Sequence, residues 1–594
     1  MKKGKKSILW WILFILVLVI MLAVLELGKH TILGWMLTLA AAAGFVFLNR
    51  KKLRGARWLL RLGSWLAFLL AFAAILWISW PPVRAVPAVA GKNGGPTEVV
   101  HLPQGDLRGV KTADGKVEVF TGIPYAKPPV GELRWQPPVE AGPWKGVLTA
   151  DHFAPMSMQT VQLPIVESLK RLIGYHDFKI SPDDNYRPPV SEDSLYLNIW
   201  KLAGEARELP VLVYIHGGSL QTGQPWYADF NGASLARDGV IVVNLGYRLG
   251  IFGFFADEEL LKEQGTTGNY GLLDQILALQ WVQKNIAAFG GDPANVTLAG
   301  ESAGSACVSA LCTSPLAKGL FCRAVGESST VTSPSPAHSF RLLDEAYEAG
   351  RKTKEKYKAA GVEDLRKLPA SELVGELSVH HHMTVDGYVL PVTPCEAYAQ
   401  GIHNEEAQLH GFNREEAAPF IIFDPANLKN YESKVRAAFP APYADRILAL
   451  YPASTDEEAR KAWADIFSVH FFMYPHYCWE RQALKNGIPS YVYHFQKTNG
   501  CIGAWHSGEE VYLYGNIPED SALYDETDRE LSRVMKQYYL NFIRTGDPNG
   551  EGLPDWPVGT GDGRALSFGD SVQMETVPFV ELYKIFDDMS GFEG

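Results

Sequence analysis

The 594-residue sequence predicts an α/β domain, a mostly parallel central sheet with helices on both faces, preceded by three transmembrane helices. Three observations carry that prediction. Apolar, β-rich runs at Val211 to Ile215, Val240 to Val243 and Val296 to Ala299 alternate with helical patterns, as a parallel sheet flanked by helices requires. The first eighty residues hold three apolar stretches near the ~20 residues that span hydrocarbon. The pentapeptide Gly300-Glu301-Ser302-Ala303-Gly304 joins an apolar strand to a small-residue helical stretch.

The amino-terminal stretches come first. Ile8 to Leu25 contains no polar residue, Ile32 to Leu48 is interrupted only by Gly34, Thr38 and Gly44, and Leu62 to Trp80 only by glycine and serine. Any one of them alone also fits a buried soluble helix. Three in succession, with Trp10, Trp11, Trp65, Trp77 and Trp80 near their ends, favour a membrane bundle. Lys2, Lys3, Lys5 and Lys6 precede the first, and Arg50, Lys51, Lys52, Arg54, Arg57 and Arg61 separate the second from the third. The turn between the first two holds only Glu26, Lys29 and His30. Basic residues stay on the cytoplasmic side, so the expectation is a multi-pass protein of the cell membrane with everything after Trp80 extracytoplasmic. A cleaved signal peptide is the rival reading of the first stretch, but no small-residue cleavage site closes it and two more stretches follow. Ala88-Val89-Ala90 resembles such a site, at some distance from the third stretch. Pro81 to Pro96 reads as a linker. The expected domains are therefore an anchor at 1–80, a linker at 81–96 and the large domain at 97–594.

Charge divides the chain the same way. Residues 1–96 carry 13 Lys+Arg against one acid, and with the whole chain at −11 the remainder stands at −23. An acidic domain repels phosphate backbones, which excludes nucleic-acid binding and leaves contact with the lipid bilayer to the anchor. The six cysteines, Cys307, Cys312, Cys322, Cys395, Cys478 and Cys501, form no C-x-x-C pair, so neither a metal nor another cofactor is implied. His380-His381-His382 reads as a loop or pocket rim, since adjacent imidazoles do not all aim at one ion.

Along the large domain, Leu272, Leu273, Ile276, Leu279, Val282 and Ile286 recur at three- and four-residue steps, predicting one amphipathic crossover helix closed by Phe289-Gly290-Gly291-Asp292-Pro293. From about Ser333 to Ala464 charged amphipathic helices and loops replace the alternation. Excursions of this kind commonly roof the strand ends where ligands bind.

The strand-to-helix turn makes Ser302 the candidate nucleophile, because flanking glycines let helix and strand approach and thrust the serine forward. A serine hydroxyl needs a base, and the base needs a carboxylate to fix its tautomer. The developing oxyanion needs main-chain amides. His216-Gly217-Gly218-Ser219 after the strand Val211 to Ile215 offers some, and Ala303 another.

At these residues the domain resembles the type-B carboxylesterases, the cholinesterase-like branch of the α/β-hydrolase fold, and in character the bacterial para-nitrobenzyl esterases. Phe120-Thr121-Gly122-Ile123-Pro124-Tyr125-Ala126, Glu192 to Trp200, and Phe289 to Pro293 leading into Gly300 to Gly304 carry the resemblance from Thr97 nearly to the end. It implies a serine carboxylesterase for small-molecule esters working through an acyl-serine. The acid lies in Gly411-Phe412-Asn413-Arg414-Glu415-Glu416, which points to Glu416 with Glu415 as rival; Ala417 stands where the family usually has glycine. The base lies in Trp505-His506-Ser507-Gly508-Glu509-Glu510, which points to His506. The order Ser302, Glu416, His506 agrees with that fold. The resemblance assigns His216 to the oxyanion loop, Gly218 and Ser219 to its amides, Gly217 to its turn, and Ser328 to support of the catalytic carboxylate. Glu192 and Arg248 resemble a family ion pair.

Two departures matter. Secreted animal relatives pair a cysteine near Met156 with one at the place of Ser194, and both are missing here. No tryptophan lies between Met156 and Glu192 to stack on a choline, which removes acetylcholine from the expected substrates. An ordinary imidazole base implies activity lost below an apparent pKa within about a unit of ~6.5. The alternative of another class is a non-catalytic cell-surface binding protein. Transport is a third reading, weakened by the absence of any charge inside the three stretches.

Overall fold

The structure, a computed structural model, describes residues 2–53, 55–160, 163–172, 187–374, 379–498, 503–519 and 523–593. Arg54, Cys501 and the side chains of Lys2, Lys3, Lys5 and Lys6 lie outside the described residues. The chain divides into two compact units, Met1–Arg84 with Val161–Pro189, and Ala85–Thr160 with Val190–Gly594.

In the first unit, α1 (Lys2–Leu27), α2 (Ile32–Phe47) and α3 (Trp58–Ile78) are long and apolar enough to cross a membrane. Aromatic rings join them: Phe45 stacks on Phe68 at 4.6 Å and meets the edge of Trp65 at 4.7 Å and the face of Phe14 at 5.8 Å. Polar bonds pin both ends. Asn49 donates to Phe45 O at 3.1 Å and accepts from Ser64 Oγ at 3.2 Å. At the other end Ser79 Oγ lies 3.0 Å from His30 Nδ1, and a β-carbon on Gly34 would stand 2.5 Å from that hydroxyl, so glycine is required there. Large apolar side chains such as Leu9, Leu16, Leu70 and Trp77 point outward.

Among the described residues, the second unit is built on a thirteen-stranded sheet. Pro96–Leu102, Gly105–Lys111, Val117–Pro124 and Tyr196–Leu202 form an antiparallel flank. Ile241–Leu245, Leu209–Ile215, Gly291–Glu301, Arg323–Glu327, Ala407–Asn413, Ser490–Phe495 and Arg564–Phe568 then run parallel, and Val572–Thr576 closes the far edge antiparallel. Val147–Thr149 pairs beside Gly105–Lys111. This is the α/β-hydrolase arrangement.

The strands read as continuous apolar runs because both faces are covered. Along Leu209–Ile215, Val211, Val213 and Ile215 join one core with Leu272, Ile276 and Leu279, while Leu212 and Tyr214 join the other with Met535, Tyr539 and Phe542. Side-chain alternation on a strand produces that division. The crossover helix spans Tyr270–Asn285 and ends through a 3₁₀ turn at Gly290, whose φ of 89° a glycine adopts freely. It is buried on more than the predicted apolar face, Asp274 and Gln275 included. Register aligns Ile215, Gly300, Gly326 and His410 in one row, so His216, Ser302, Ser328 and Phe412 all lie at the carboxyl ends of parallel strands.

Candidate active site

Ser302 stands between the strand Gly291–Glu301 and the helix Ala303–Thr313 with φ 54° and ψ −124°. A non-glycine residue held there costs about 1–3 kcal/mol, sustained only by its surroundings. Those surroundings are tight: a β-carbon on Gly304 would lie 2.0 Å from Ile215 O, and one on Gly300 2.6 Å from the carbonyl carbon of Gly304. Ser302 N donates to Glu327 O at 2.7 Å, which ties the turn to the neighbouring strand.

His506 Nε2 lies 2.8 Å from Ser302 Oγ, and His506 Nδ1 lies 2.5 Å from Glu416 Oε2. Glu416 is fully buried, and its Oε1 accepts from Asn413 N at 2.7 Å. Its rival Glu415 has another task. Glu415 N donates to Ala504 O and Ala504 N donates to Glu415 Oε2, both at 2.9 Å, which clamps the segment that delivers His506. The three residues named from the sequence thus meet in one hydrogen-bonded line.

A second carboxylate faces the same ring. Glu301 Oε1 lies 3.2 Å from His506 Nε2 and accepts from Ser507 Oγ at 2.5 Å, with Ser507 held at φ 73°. Burial alone would lower the His506 pKa, but Glu301 and Glu416 outweigh it and raise it to about 9. Burial lifts Glu301 to about 7 against the pull of His506. Sequence reasoning missed Glu301 in this role, although its place inside the serine pentapeptide was the available signal.

The loop after Leu209–Ile215 abuts the nucleophile. A β-carbon on Gly217 would be 3.0 Å from Ser302 Cβ, and one on Gly218, at φ 106°, would be 2.2 Å from Thr222 O. Gln221 N and Thr222 N both donate to Gly218 O at 3.0 Å, closing a turn in which Ser219 and Leu220 take φ 56° and 59°. Among the described residues, the amides of Gly218, Ser219 and Ala303 donate to no protein acceptor, and Ala303 directly follows Ser302 in the chain. His216 shapes this loop. Its Nδ1 lies 2.9 Å from Gly217 O, its ring packs on Tyr247 at 4.6 Å, and burial drives its pKa down to about 4, leaving a neutral ring.

Two partnerships differ from expectation. Ser328 bonds to a carboxylate other than Glu416. Its hydroxyl donates to Glu509 Oε1 at 3.0 Å, and Glu509 also accepts from Tyr493 OH at 3.1 Å and from Asn413 Nδ2. Asn413, bonded through its amide to Glu416 and through its side chain to Glu509, joins the two carboxylates. Glu192 and Arg248 likewise do not pair: Arg134 grips Glu192 with two bonds of 2.7 and 2.8 Å, and Arg248 grips Asp274 with two of 2.8 and 2.7 Å. Each carboxylate took the guanidinium that reached it in bidentate geometry. Where secreted relatives carry a disulfide, Ser157 Oγ donates to Tyr247 O at 2.6 Å and lies 3.0 Å from Ser194 Oγ.

Aromatic rings wall the imidazole. Phe420, 45 % exposed, meets His506 edge-on at 5.1 Å, and Phe472 lies 4.6 Å away. Phe472 comes from a π-helical turn, Val469–Met473, a local irregularity with no sequence periodicity to announce it. His381 Nε2 lies 3.2 Å from Thr353 Oγ1, and among the described residues no three His, Cys, Asp or Glu side chains are grouped to hold a metal. Cys307, Cys312, Cys322, Cys395 and Cys478 are free thiols.

Comparison with known proteins bears on this arrangement. The family model described as the carboxylesterase family matches residues 96–580. "Carboxylesterase 1C" of Rattus norvegicus is 35 % identical over 519 residues, covering 82 % of this chain and 91 % of the relative. "Liver carboxylesterase" of Sus scrofa is 34 % identical over 82 % of this chain and 91 % of its own length. "Fumonisin B1 esterase" of Sphingopyxis macrogoltabida is 32 % identical over 84 % and 91 %.

Proposed function

The chain belongs to the carboxylesterase family and hydrolyses carboxylic esters; from that premise we propose that it is a membrane-anchored serine esterase working through an acyl-enzyme. Ser302 Oγ adds to the ester carbonyl carbon as its proton passes to His506 Nε2, while Nδ1–H stays on Glu416. Oxygen charge developing at the carbonyl is held by the amides of Gly218, Ser219 and Ala303. His506 then protonates the departing alkoxide, leaving acyl-Ser302. Water, deprotonated by His506, adds to that acyl carbon; the bond to Ser302 Oγ then breaks as His506 returns the proton to that oxygen, and the acid leaves. Glu301 steadies the imidazolium in both halves of the cycle. Phe420 and Phe472 beside the base favour esters with apolar substituents.

The anchor is α1, α2 and α3, supported by their length and apolar surface. Basic residues at the amino terminus and between α2 and α3 orient the acidic domain to the extracytoplasmic side, where small-molecule esters and not nucleic acids are its partners.

The observation that carries the reading is one imidazole held 2.8 Å from the serine hydroxyl and 2.5 Å from a buried carboxylate. A fluorophosphonate probe tests it. The intact chain labels covalently and Ser302→Ala does not. Absence of serine-dependent labelling would instead leave a binding protein on an esterase scaffold.

A further inference from the structure

A groove between α1 and α2, wholly within the first unit, carries an inference independent of the esterase chemistry. It is open along its length and offers about 570 Å³, within the range of about 300–1,000 Å³ of ligand sites. Leu18, Leu39, Ala43 and Phe47 line its length, and Arg50 and Lys51 close one end. The small side chains at Ala42 and Ala43 open it.

The two cations are held in place by aromatic rings. The Arg50 guanidinium lies 4.5 Å from the Trp11 ring and 5.9 Å from Trp10, and Lys51 Nζ lies 5.2 Å from Phe47. Among the described residues neither forms an ion pair with a carboxylate. Residues 1–84 contain a single acid, Glu26, which lies about 24 Å along α1 from Trp10. Lys52 and Arg57 add positive charge at the same end without an acid to match. Among the described side chains of this unit no carboxylate complements this end, which leaves its charge open to an anion supplied from the surroundings.

An apolar groove ending in one arginine and one lysine side chain matches one kind of occupant: an acyl chain carrying an anionic head. We propose that this groove binds an anionic phospholipid, its acyl chain along Leu18 and Leu39 and its phosphate on Arg50 and Lys51. Positioned cations distinguish the site from ordinary lipid contact, which any outward leucine makes.

Native mass spectrometry of the full chain, released from micelles holding equal phosphatidylglycerol and phosphatidylcholine, tests the proposal. Phosphatidylglycerol adducts exceed phosphatidylcholine adducts by about 30-fold in the unaltered chain, the effect of two basic side chains near a lipid surface. In the double variant Arg50→Gln, Lys51→Gln the ratio falls close to one. Ala43→Phe, which fills the groove and leaves the cations, reduces adducts of both lipids. Far-UV circular dichroism and elution volume in the same micelles report that each variant is folded. Equal adducts in the unaltered chain, a preference that survives the double variant, or retention that ignores Ala43→Phe would each overturn it.

Discussion

His506 and His216 are buried alike, 4 % and 1 % exposed, yet their surroundings drive them to opposite charge states. Burial penalises the imidazolium in both. At His216 only a main-chain carbonyl at 2.9 Å opposes that penalty, and the pKa falls to about 4. At His506 two carboxylates, at 2.5 and 3.2 Å, override it and raise the pKa to about 9. Charges in contact, not depth, separate a base from a piece of scaffold. The acid limb expected near 6.5 from an unperturbed ring is displaced upward for the same reason.

Replacement of each ring should expose the contrast most strongly. His506→Ala lowers kcat by about 10⁶-fold, since serine and base act as a unit. His216→Asn, which alters only the shape of the loop, lowers it by less than about 10²-fold, the scale of one weakened oxyanion donor. Initial rates on p-nitrophenyl butyrate measure both. Comparable losses would erase the distinction between the two histidines. Next in size comes Glu416→Gln, expected to cost about 10⁴-fold in kcat because the amide favours the wrong tautomer of His506. Glu415→Gln, altering a backbone clamp, should leave the rate within about tenfold of the parent.

What the sequence disclosed follows the same division between local and distant causes. The serine turn was legible because its constraint is local: Gly300 and Gly304 admit no β-carbon, and the adjoining strand is an apolar run. Glu416 and His506 were legible through short motifs. Partner choice was not. Arg134 lies 58 positions before Glu192, and nothing in spacing or periodicity tells that it, and not Arg248, would reach that carboxylate. Ser328 was named as a support, but whether it met Glu416 or Glu509 depended on how two carboxyl-terminal segments fold over one strand end. The helix Tyr270–Asn285 read as amphipathic from its three- and four-residue apolar spacing, which said nothing of Asp274, whose burial the distant Arg248 makes tolerable.

The same pair of rings predicts how stability responds to acid. His216 has a folded pKa depressed below its unfolded value near 6.5, so the unfolded chain binds the extra proton first. Its contribution is complete above about pH 6.5 and lost as pH falls toward 4, roughly 2 kcal/mol between pH 7 and 5. His506 runs the other way. Its raised pKa adds stability that is full below about 6.5 and disappears as pH rises through about 9. Thermal unfolding across pH 5 to 9 should show His216→Asn flattening the acid side and His506→Gln the alkaline side. Identical profiles for both variants would contradict the assigned charge states.

The smallest expected effect tests whether two carboxylates are needed to set the base. Glu301→Gln removes a negative charge 3.2 Å from Nε2 and leaves Glu416 in place, so the imidazolium loses part of its stabilisation. The His506 pKa then falls, and the neutral, active ring persists to lower pH. The acid limb of kcat/KM moves down by about one unit, while the plateau rate changes by less than tenfold. A purely structural role for Glu301 would lower the melting temperature and leave that limb where it was. Ser507→Ala sharpens the result, because loss of the hydroxyl bonded to Glu301 makes its carboxylate easier to protonate and weakens its hold on the ring. Its limb should move in the same direction by a smaller amount, and in the Glu301→Gln background it should not move at all.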